Sequence, residues 1–177
     1  MTGRKILETR GGVHLGVRAA STEDEALLDE FFQHVSPEDL RFRFLSAMPR
    51  VPHEHIVAMT HVDHRQTENF LAFDERTGGL VATAMLACDA ALERCEVAIV
   101  ERAAFKGRGV GWELLRYVTE VARDRGIGVI ESIEDCGNHA AIELQREMGF
   151  SVEACPGDAT LVLVRKILQP AQSEPAS

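Results

Sequence analysis

The residues Lys106-Gly107-Arg108-Gly109-Val110-Gly111 (KGRGVG) separate a predicted strand, 94–100, from a predicted helix. After the loop, apolar residues recur at helical spacing until Gly126 ends the pattern. A helix that starts after a glycine-rich turn is suited to bind an anion. Its first N–H groups are unpaired, and glycine lets a phosphate approach the backbone. A second interpretation, in which the glycines only relieve strain in a tight turn, stays open at this point.

Two well-known phosphate motifs fit this loop poorly. A P-loop places Lys and Ser or Thr after its second glycine, whereas Gly111 is followed by Trp112. The dinucleotide pattern GxGxxG is met at Gly107 and Gly109, but its third glycine is replaced by Trp112. Glu131 does stand where that motif has its acidic residue. However, several predicted strands precede the loop, whereas a dinucleotide-binding unit normally opens its domain.

The rest of the chain predicts an α/β fold. Apolar or alternating stretches predict strands at 13–18, 69–74, 80–88, 94–100, 127–134, 150–154 and 159–167. Start signals and helical spacing predict helices after Ser21, after Ser36, at 54–59, after the loop and at 138–148. Because strands gather in the middle and alternate with helices later, we expect a mixed sheet that is more parallel toward the C-terminal half.

The length of 177 residues predicts one domain, which we place at 13–167. Residues 1–12 lack periodicity and end in Gly11-Gly12, so we expect a flexible N-terminal segment. Residues 168–177 are rich in Pro, Ser and Ala and are expected to form a disordered tail.

Charge and composition argue against several classes of protein. The 19 Lys and Arg against 28 Asp and Glu give a net charge of −9, which disfavours nucleic-acid binding and weakly favours a cationic partner. Neither a membrane-spanning run nor a signal sequence is present, so we expect a cytoplasmic protein. The cysteines are expected to be reduced and mostly buried. The histidines at 53, 55, 61 and 64 lack zinc-binding spacing, so no metal is expected.

The loop and two further segments resemble the GNAT superfamily of acetyl-CoA-dependent N-acetyltransferases. The family's loop, Gln/Arg-x-x-Gly-x-Gly/Ala, is met at 106–111 with Lys in the first place. The family's later pattern of Asn, helix and Gly-Phe matches Asn138 and Gly149-Phe150. The upstream stretch with SPEDLRFRF at 36–44 resembles the GNAT domain of bacterial Pat-type protein lysine acetyltransferases. The resemblance implies a single-domain GNAT fold, with a mixed central β-sheet flanked by helices.

The resemblance also implies which residues act. Glu96, ten positions before the loop, would be the catalytic base, and the structural alternative is a solvated strand residue. The main chain of Ile99, Val100 and Glu101 would pair with the pantetheine arm, although an apolar residue is usual at position 101. The residues expected to bind acetyl-CoA are Ile99, Val100, Glu101, Lys106, Gly107, Arg108, Gly109, Val110, Gly111, Trp112 and Asn138.

Two polar residues of the last predicted helix carry further expectations. Asn138 would hydrogen-bond the cofactor arm or orient a water, and the alternative is that it only caps the helix. Gln145 stands where many GNAT members have a tyrosine general acid, so the use of an acid stays open.

The resemblance therefore implies direct transfer of an acetyl group from acetyl-CoA to a primary amine, with a protein lysine as the favoured acceptor. Two other functions stay open: acetylation of a small amine, and acyl-CoA sensing without turnover. A homodimer is also left open.

Overall fold

The computed structural model describes residues 3–168, which form eight strands and five helices. The strands are β1 (Lys5–Glu8), β2 (His14–Ala19), β3 (Thr67–Asp74), β4 (Leu80–Cys88), β5 (Arg94–Glu101), β6 (Val129–Asp135), β7 (Ser151–Ala154) and β8 (Leu161–Ile167). The helices are α1 (Glu25–Phe32), α2 (Pro37–Phe44), α3 (His53–Thr60), α4 (Val110–Asp124) and α5 (His139–Glu147). The predicted mixture of strands and helices is confirmed.

All eight strands belong to one sheet, in the order β1-β2-β3-β4-β5-β6-β8-β7. Neighbouring strands are antiparallel except β5 and β6, whose parallel register runs from Arg94↔Val129 to Glu96↔Glu131. The sheet was expected to be more parallel toward the C-terminal half, and β5–β6 is the one parallel pair found there among the described residues. The reason is that β8 returns antiparallel beside β6 and then pairs with β7.

Helices cover both faces of the sheet and enclose two hydrophobic cores. Successive side chains of a strand point to opposite faces, so Phe70 of β3 enters one core and Leu71 enters the other. Helix α4 covers the first core through an apolar stripe that includes Leu114 and Val118. Helices α1, α2 and α3 cover the second core, where Phe31 is fully buried. Within residues 3–168, no helix combines the length and apolarity needed to cross a membrane.

Both predicted tails need correction. Within the segment 1–12, β1 pairs with β2 along its whole length, and Leu7 is buried in the first core. Gly11-Gly12 is therefore part of a hairpin turn and does not end a flexible segment. At the other end, Leu168 is also buried in the first core, because it follows β8 directly. The remaining residues of the predicted tail, 169–177, lie outside the described residues.

The expectation that all four cysteines are reduced is wrong for Cys88 and Cys95. Cys88 ends β4 and lies opposite Cys95 of β5, and the two sulfur atoms form a disulfide. This pairing depends on the register of the β4–β5 hairpin, which the spacing of the two cysteines does not reveal. Of the free cysteines, Cys136 is exposed and Cys155 is half-buried.

An ion pair between the partly exposed Arg18 and the buried Asp24 holds the corner where β2 leads into α1. Asp24 precedes α1, and its two carboxylate oxygens accept hydrogen bonds from the Arg18 guanidinium, each at 2.8 Å. The same carboxylate accepts the backbone N–H of Ser21 at 2.7 Å. These bonds hold the pKa of Asp24 below its ordinary value, and the bonds from Arg18 have the largest effect. The helix start predicted after Ser21 is therefore stabilised by a side chain that arrives from the sheet.

Candidate active site

A cavity opens in the sheet where β5 and β6 diverge. Their parallel pairing stops at Glu96 and Glu131, after which β5 continues beside β4 and β6 continues beside β8. The space between them is a cavity of about 340 Å³, walled by both strands, α2, α5 and the loop before α4. Beyond Glu96, one edge of β5 therefore faces the cavity instead of a paired strand, and its main chain can bind an extended ligand.

Two glycines of the loop adopt backbone angles that other residues rarely tolerate. Gly107 has a φ of 77° and Gly109 a φ of 80°, so both positions favour glycine strongly. Helix α4 begins directly after Gly109, at Val110. Gly109 and Gly111 line the cavity, which places the start of α4 at the cavity wall. Helix starts attract anions through their free N–H groups and dipole, so the loop has the geometry that a phosphate site needs.

The two cationic side chains of the loop have other partners in this structure. Lys106 Nζ donates to both carboxylate oxygens of Asp39, at 2.8 and 2.7 Å. The Arg108 guanidinium lies 4.9 Å from the centre of the Phe105 ring. Either side chain would have to change partners to reach a phosphate at the start of α4.

Glu101 contributes its side chain to the loop, whereas the sequence predicts only a main-chain role. Its carboxylate lies beside Gly111 in the first turn of α4. A Cβ atom at Gly111 would collide with this carboxylate. Burial raises the pKa of Glu101, and the negative charge of Asp39 raises it further. The backbone of Gly111 and the positive charge of Lys106 lower it. A negative group of the protein therefore already occupies part of the helix start.

The two residues before Glu101 line the cavity from β5. Val100 is buried in the second core, and Ile99 is half-buried against the first. Because these side chains point to opposite faces of the sheet, the main chain between them is directed sideways along the sheet. Both residues have the placement that the predicted main-chain role requires.

The N-terminal hairpin packs against the loop. A Cβ atom at Gly11 would lie only 2.5 Å from the carbonyl oxygen of Arg108, so the two turns are in close backbone contact. The Arg10 guanidinium lies 3.9 Å from the centre of the Trp112 ring, which is a cation–π contact. Trp112 itself lines the cavity. The segment predicted to be flexible therefore supports one wall of the candidate site.

Glu96 lies where the two strands part, and its side chain is open to the cavity. The surrounding protein atoms raise its pKa, the charge of Arg43 lowers it, and the charge of Glu131 raises it. Arg43 comes from α2, and its Nε has no hydrogen-bond partner, while Nη2 contacts the Met85 sulfur at 3.5 Å. A carboxylate with a raised pKa that faces a cavity is suited to accept a proton.

Asn138 precedes α5, but its side chain makes no capping hydrogen bond to the helix. Its Nδ2 atom instead donates to Glu134 at 3.2 Å, and the residue lines the cavity. The capping interpretation is therefore wrong, and the side chain lies at the cavity wall, where the resemblance expects it to meet a ligand.

Sequence reasoning missed a polar cluster beside Asn138, formed by β6 and α5. Glu134 Oε1 accepts hydrogen bonds from Ser132 Oγ at 3.0 Å and from Gln145 Nε2 at 3.2 Å. Gln145 Nε2 also donates to Ser132 Oγ at 2.8 Å. The available signal is that Ser132 and Glu134 stand two apart in a predicted strand and so share one face. A polar pair on a strand that is otherwise inside a sheet indicates a site.

The histidines are spread over separate contacts. His53 and His61 both approach Glu25, and His64 contacts Glu68. In the part of the chain that the structure describes, no three or more His, Cys, Asp and Glu side chains are grouped to hold a metal ion.

The fold agrees with comparisons to known proteins. The chain belongs to the acetyltransferase (GNAT) family, whose model matches residues 27–150. The predicted GNAT fold, a single α/β domain with a mixed sheet flanked by helices, is thereby confirmed.

Individual relatives cover most of the chain. Acetyltransferase PA5475 of Pseudomonas aeruginosa is 27% identical over 159 residues, which are 89% of this chain and 86% of that protein. The GNAT domain of S. lividans PAT has a TM-score of 0.86 at 25% identity, over 93% of this chain and 97% of that one. The structure of yncA from Salmonella typhimurium with its cofactor acetyl-CoA has a TM-score of 0.66 at 21% identity, over 92% and 99%. This last likeness concerns the fold.

Proposed function

We propose that the protein transfers an acetyl group from acetyl-CoA to a primary amine, with Glu96 as the base. The observation that carries this proposal is the cavity between β5 and β6. The glycine-rich start of α4 lies at its wall, an edge of β5 faces it, and Glu96 opens into it. Such a cavity offers places for a diphosphate, an extended arm and a reacting thioester.

The residues around the cavity fit acetyl-CoA, except that the negative charge of Glu101 lies where the diphosphate would bind. Backbone N–H groups from Arg108 to Trp112 would hold the diphosphate, and the main chain at 99–101 would pair with the pantetheine arm. Asn138 would hydrogen-bond that arm. The carboxylate of Glu101 would have to move away from Gly111 or become protonated, because its charge lies beside the donors in question.

The reaction then requires one proton removal. A lysine amine has an ordinary pKa of about 10.4 and is protonated near neutral pH, so it must lose a proton before it can attack the thioester. Glu96 would accept that proton, directly or through a water. Holding the amine and the acyl carbon side by side supplies much of the remaining rate enhancement.

A protein lysine is the acceptor we favour. The net charge of −9 attracts cationic surfaces, and the chain is similar to the GNAT domain of a PAT protein over nearly its whole length. Acetylation of a small amine is the second candidate. It is favoured by the acidic lining of the cavity, where Glu96 and Glu134 face the same space.

One experiment tests the transfer, its base and the acceptor together. The protein is incubated with labelled acetyl-CoA and a cell lysate, and the labelled molecules are identified. We expect labelled protein lysines. The variant Glu96→Gln should lose ~10²-fold or more of the rate, the usual scale for a general base, while acetyl-CoA binding persists.

The matched variant Gly109→Asp should fail earlier, because a bulky, charged residue at a positive φ disturbs the loop and repels the diphosphate. We expect it to lose acetyl-CoA binding itself. Label on small amines alone would select the second candidate. Tight acetyl-CoA binding with no labelled product of any kind would instead identify a sensor and contradict the proposal.

A further inference from the structure

Two carboxylates from neighbouring strands face the same cavity. Glu96 belongs to β5 and Glu134 to β6, and both line the space that opens where these strands diverge. Within residues 3–168, neither carboxylate has a cationic partner within 4 Å. Like charges that share one site do not both ionise readily, so one of the two carboxyl groups tends to keep its proton.

The surroundings decide which carboxyl group keeps the proton. Glu96 faces the guanidinium of Arg43, which favours the ionised form of Glu96. The charged group that acts on Glu134 is Glu96, which disfavours a second negative charge. Burial is the main cause that raises the pKa of Glu134, and the charge of Glu96 adds a smaller increase. Hydrogen bonds from three neutral neighbours lower this pKa but only partly offset the increase. Burial raises the pKa of both carboxyl groups, but only Glu96 has a cation that opposes this. Such a difference in surroundings favours Glu96 as the base and Glu134 as the acid.

Hydrogen bonds also hold Glu134 in place. Oε1 accepts from Ser132 and Gln145, and Oε2 accepts from Asn138. Ser132 and Gln145 are buried, and Gln145 is further fixed by its bond to Ser132. The carboxyl group is therefore held at the cavity wall by neutral side chains, none of which removes its proton.

We propose that Glu134 is the general acid of the reaction and protonates the departing sulfur of coenzyme A. This inference rests on the proposed function. The ammonium first loses one proton to Glu96, which passes it to solvent. The neutral amine nitrogen then forms a bond to the acetyl carbon and gives its second proton to Glu96. The carbon–sulfur bond breaks, its electron pair goes to sulfur, and the sulfur takes the proton of Glu134. Glu134 is left as a carboxylate and regains a proton from solvent, to which Glu96 releases its own.

The test compares wild-type protein with Glu134→Gln over a range from mildly acidic to alkaline pH. Acetyl transfer is measured with acetyl-CoA and poly-L-lysine. Glutamine keeps the shape and one acceptor oxygen but cannot give up a proton. We expect the variant to be slower by ~10²-fold at the pH where wild type is fastest, with unchanged acetyl-CoA affinity. The difference in rate between wild type and variant should become smaller as pH rises, because wild-type Glu134 then also loses its proton.

Dividing the two rates at each pH removes the titration of the amine, which is common to both proteins. A merely structural role of Glu134 would give a ratio that does not change with pH, and that result would overturn the proposal. Glu134→Asp should restore the pH dependence in part. Glu143→Gln, on an exposed position of α5, is the matched control and should leave the profile unchanged.

Failure of the proposed function gives a different result. A wild-type protein that acetylates no amine contradicts the transferase activity, whatever Glu134 does. In that case, the titration of isotope-labelled glutamate carboxyl groups by NMR, compared between wild type and Glu134→Gln, still measures the protonation of Glu134. A signal at Glu134 that titrates in the ordinary range for glutamate would also overturn the inference.

Discussion

Glu101 ends β5 and presents its carboxylate to the first turn of α4, beside Gly111. A ligand phosphate would seek the N–H groups of this turn. The carboxylate is therefore an internal competitor of any anion that binds there. Burial raises the pKa of Glu101, which means that this competitor loses its charge at a higher pH than an ordinary glutamate does.

We therefore predict that Glu101→Gln binds acetyl-CoA more tightly than wild type, by roughly tenfold at alkaline pH, since removing one close repulsion contributes about 1.4 kcal/mol. Wild-type affinity should fall as pH rises through the raised pKa of Glu101, because the carboxylate becomes charged, and Glu101→Gln should lack this fall. Calorimetric titration at several pH values measures both. Glu93→Gln, at an exposed position before β5, is the control. Equal affinities for wild type and Glu101→Gln throughout would show that the carboxylate does not compete.

The elements gain their positions from a few contacts between sheet and helices. The Arg18–Asp24 pair joins β2 to the start of α1, and α1 in turn covers the second core. Asp24 is buried and receives two hydrogen bonds from a charged group. Such bonds contribute more than those between neutral partners.

We expect Asp24→Asn to lower the free energy of unfolding by about 1–3 kcal/mol at neutral pH. The folded-state pKa of Asp24 is depressed, so its stabilisation is present above the pKa of the unfolded chain and disappears as pH falls through the folded value. The difference between wild type and variant should therefore shrink in strong acid. Urea unfolding followed by fluorescence of Trp112, the one tryptophan, measures it.

The matched control is Asp29→Asn, which breaks the exposed pair of Asp29 with Arg50. Exposed pairs contribute only about 0–1 kcal/mol, so this variant should unfold almost like wild type. An equal loss of unfolding free energy in the two variants would contradict the role assigned to the Arg18–Asp24 pair.

At the scale of the whole molecule, segments from near both ends of the described residues join the core that α4 covers. The turn between β1 and β2 packs against the loop before α4, although about a hundred residues of sequence separate them. Leu168, after the last strand, is buried in the core that α4 covers. The cavity is therefore a property of the complete domain and not of the loop alone.

This arrangement predicts an effect from a distant glycine. In Gly11→Ala, the added Cβ would lie 2.5 Å from a backbone carbonyl of the loop, so the hairpin and the loop must separate. We expect acetyl-CoA binding to weaken by roughly tenfold, as a displaced loop loses about one good hydrogen bond to an anion. Gly3→Ala, where no atom lies within 4 Å, should bind like wild type. Unchanged binding in Gly11→Ala would show that the loop does not depend on the hairpin.

Sequence patterns served best where neighbouring residues decide the structure. The strand, glycine loop and helix at 94–124 follow from apolar periodicity and from glycines whose positive φ the structure displays. The strand that carries Glu96 follows from the same local evidence. The N-terminal strand was missed because β1 is only four residues long and only Leu7 of it is buried. A pattern so short has no period to detect.

The sequence by itself determined the α/β class, the loop that suits an anion, and the family to which the chain belongs. Only the tertiary structure decided that Glu134 shares a cavity with Glu96, that Glu101 occupies the start of α4, and that Cys88 meets Cys95. The physical reason is that turns and helix starts depend on residues close in sequence. Contacts between strands depend on register and on where two strands diverge, and both are settled by packing across the whole sheet.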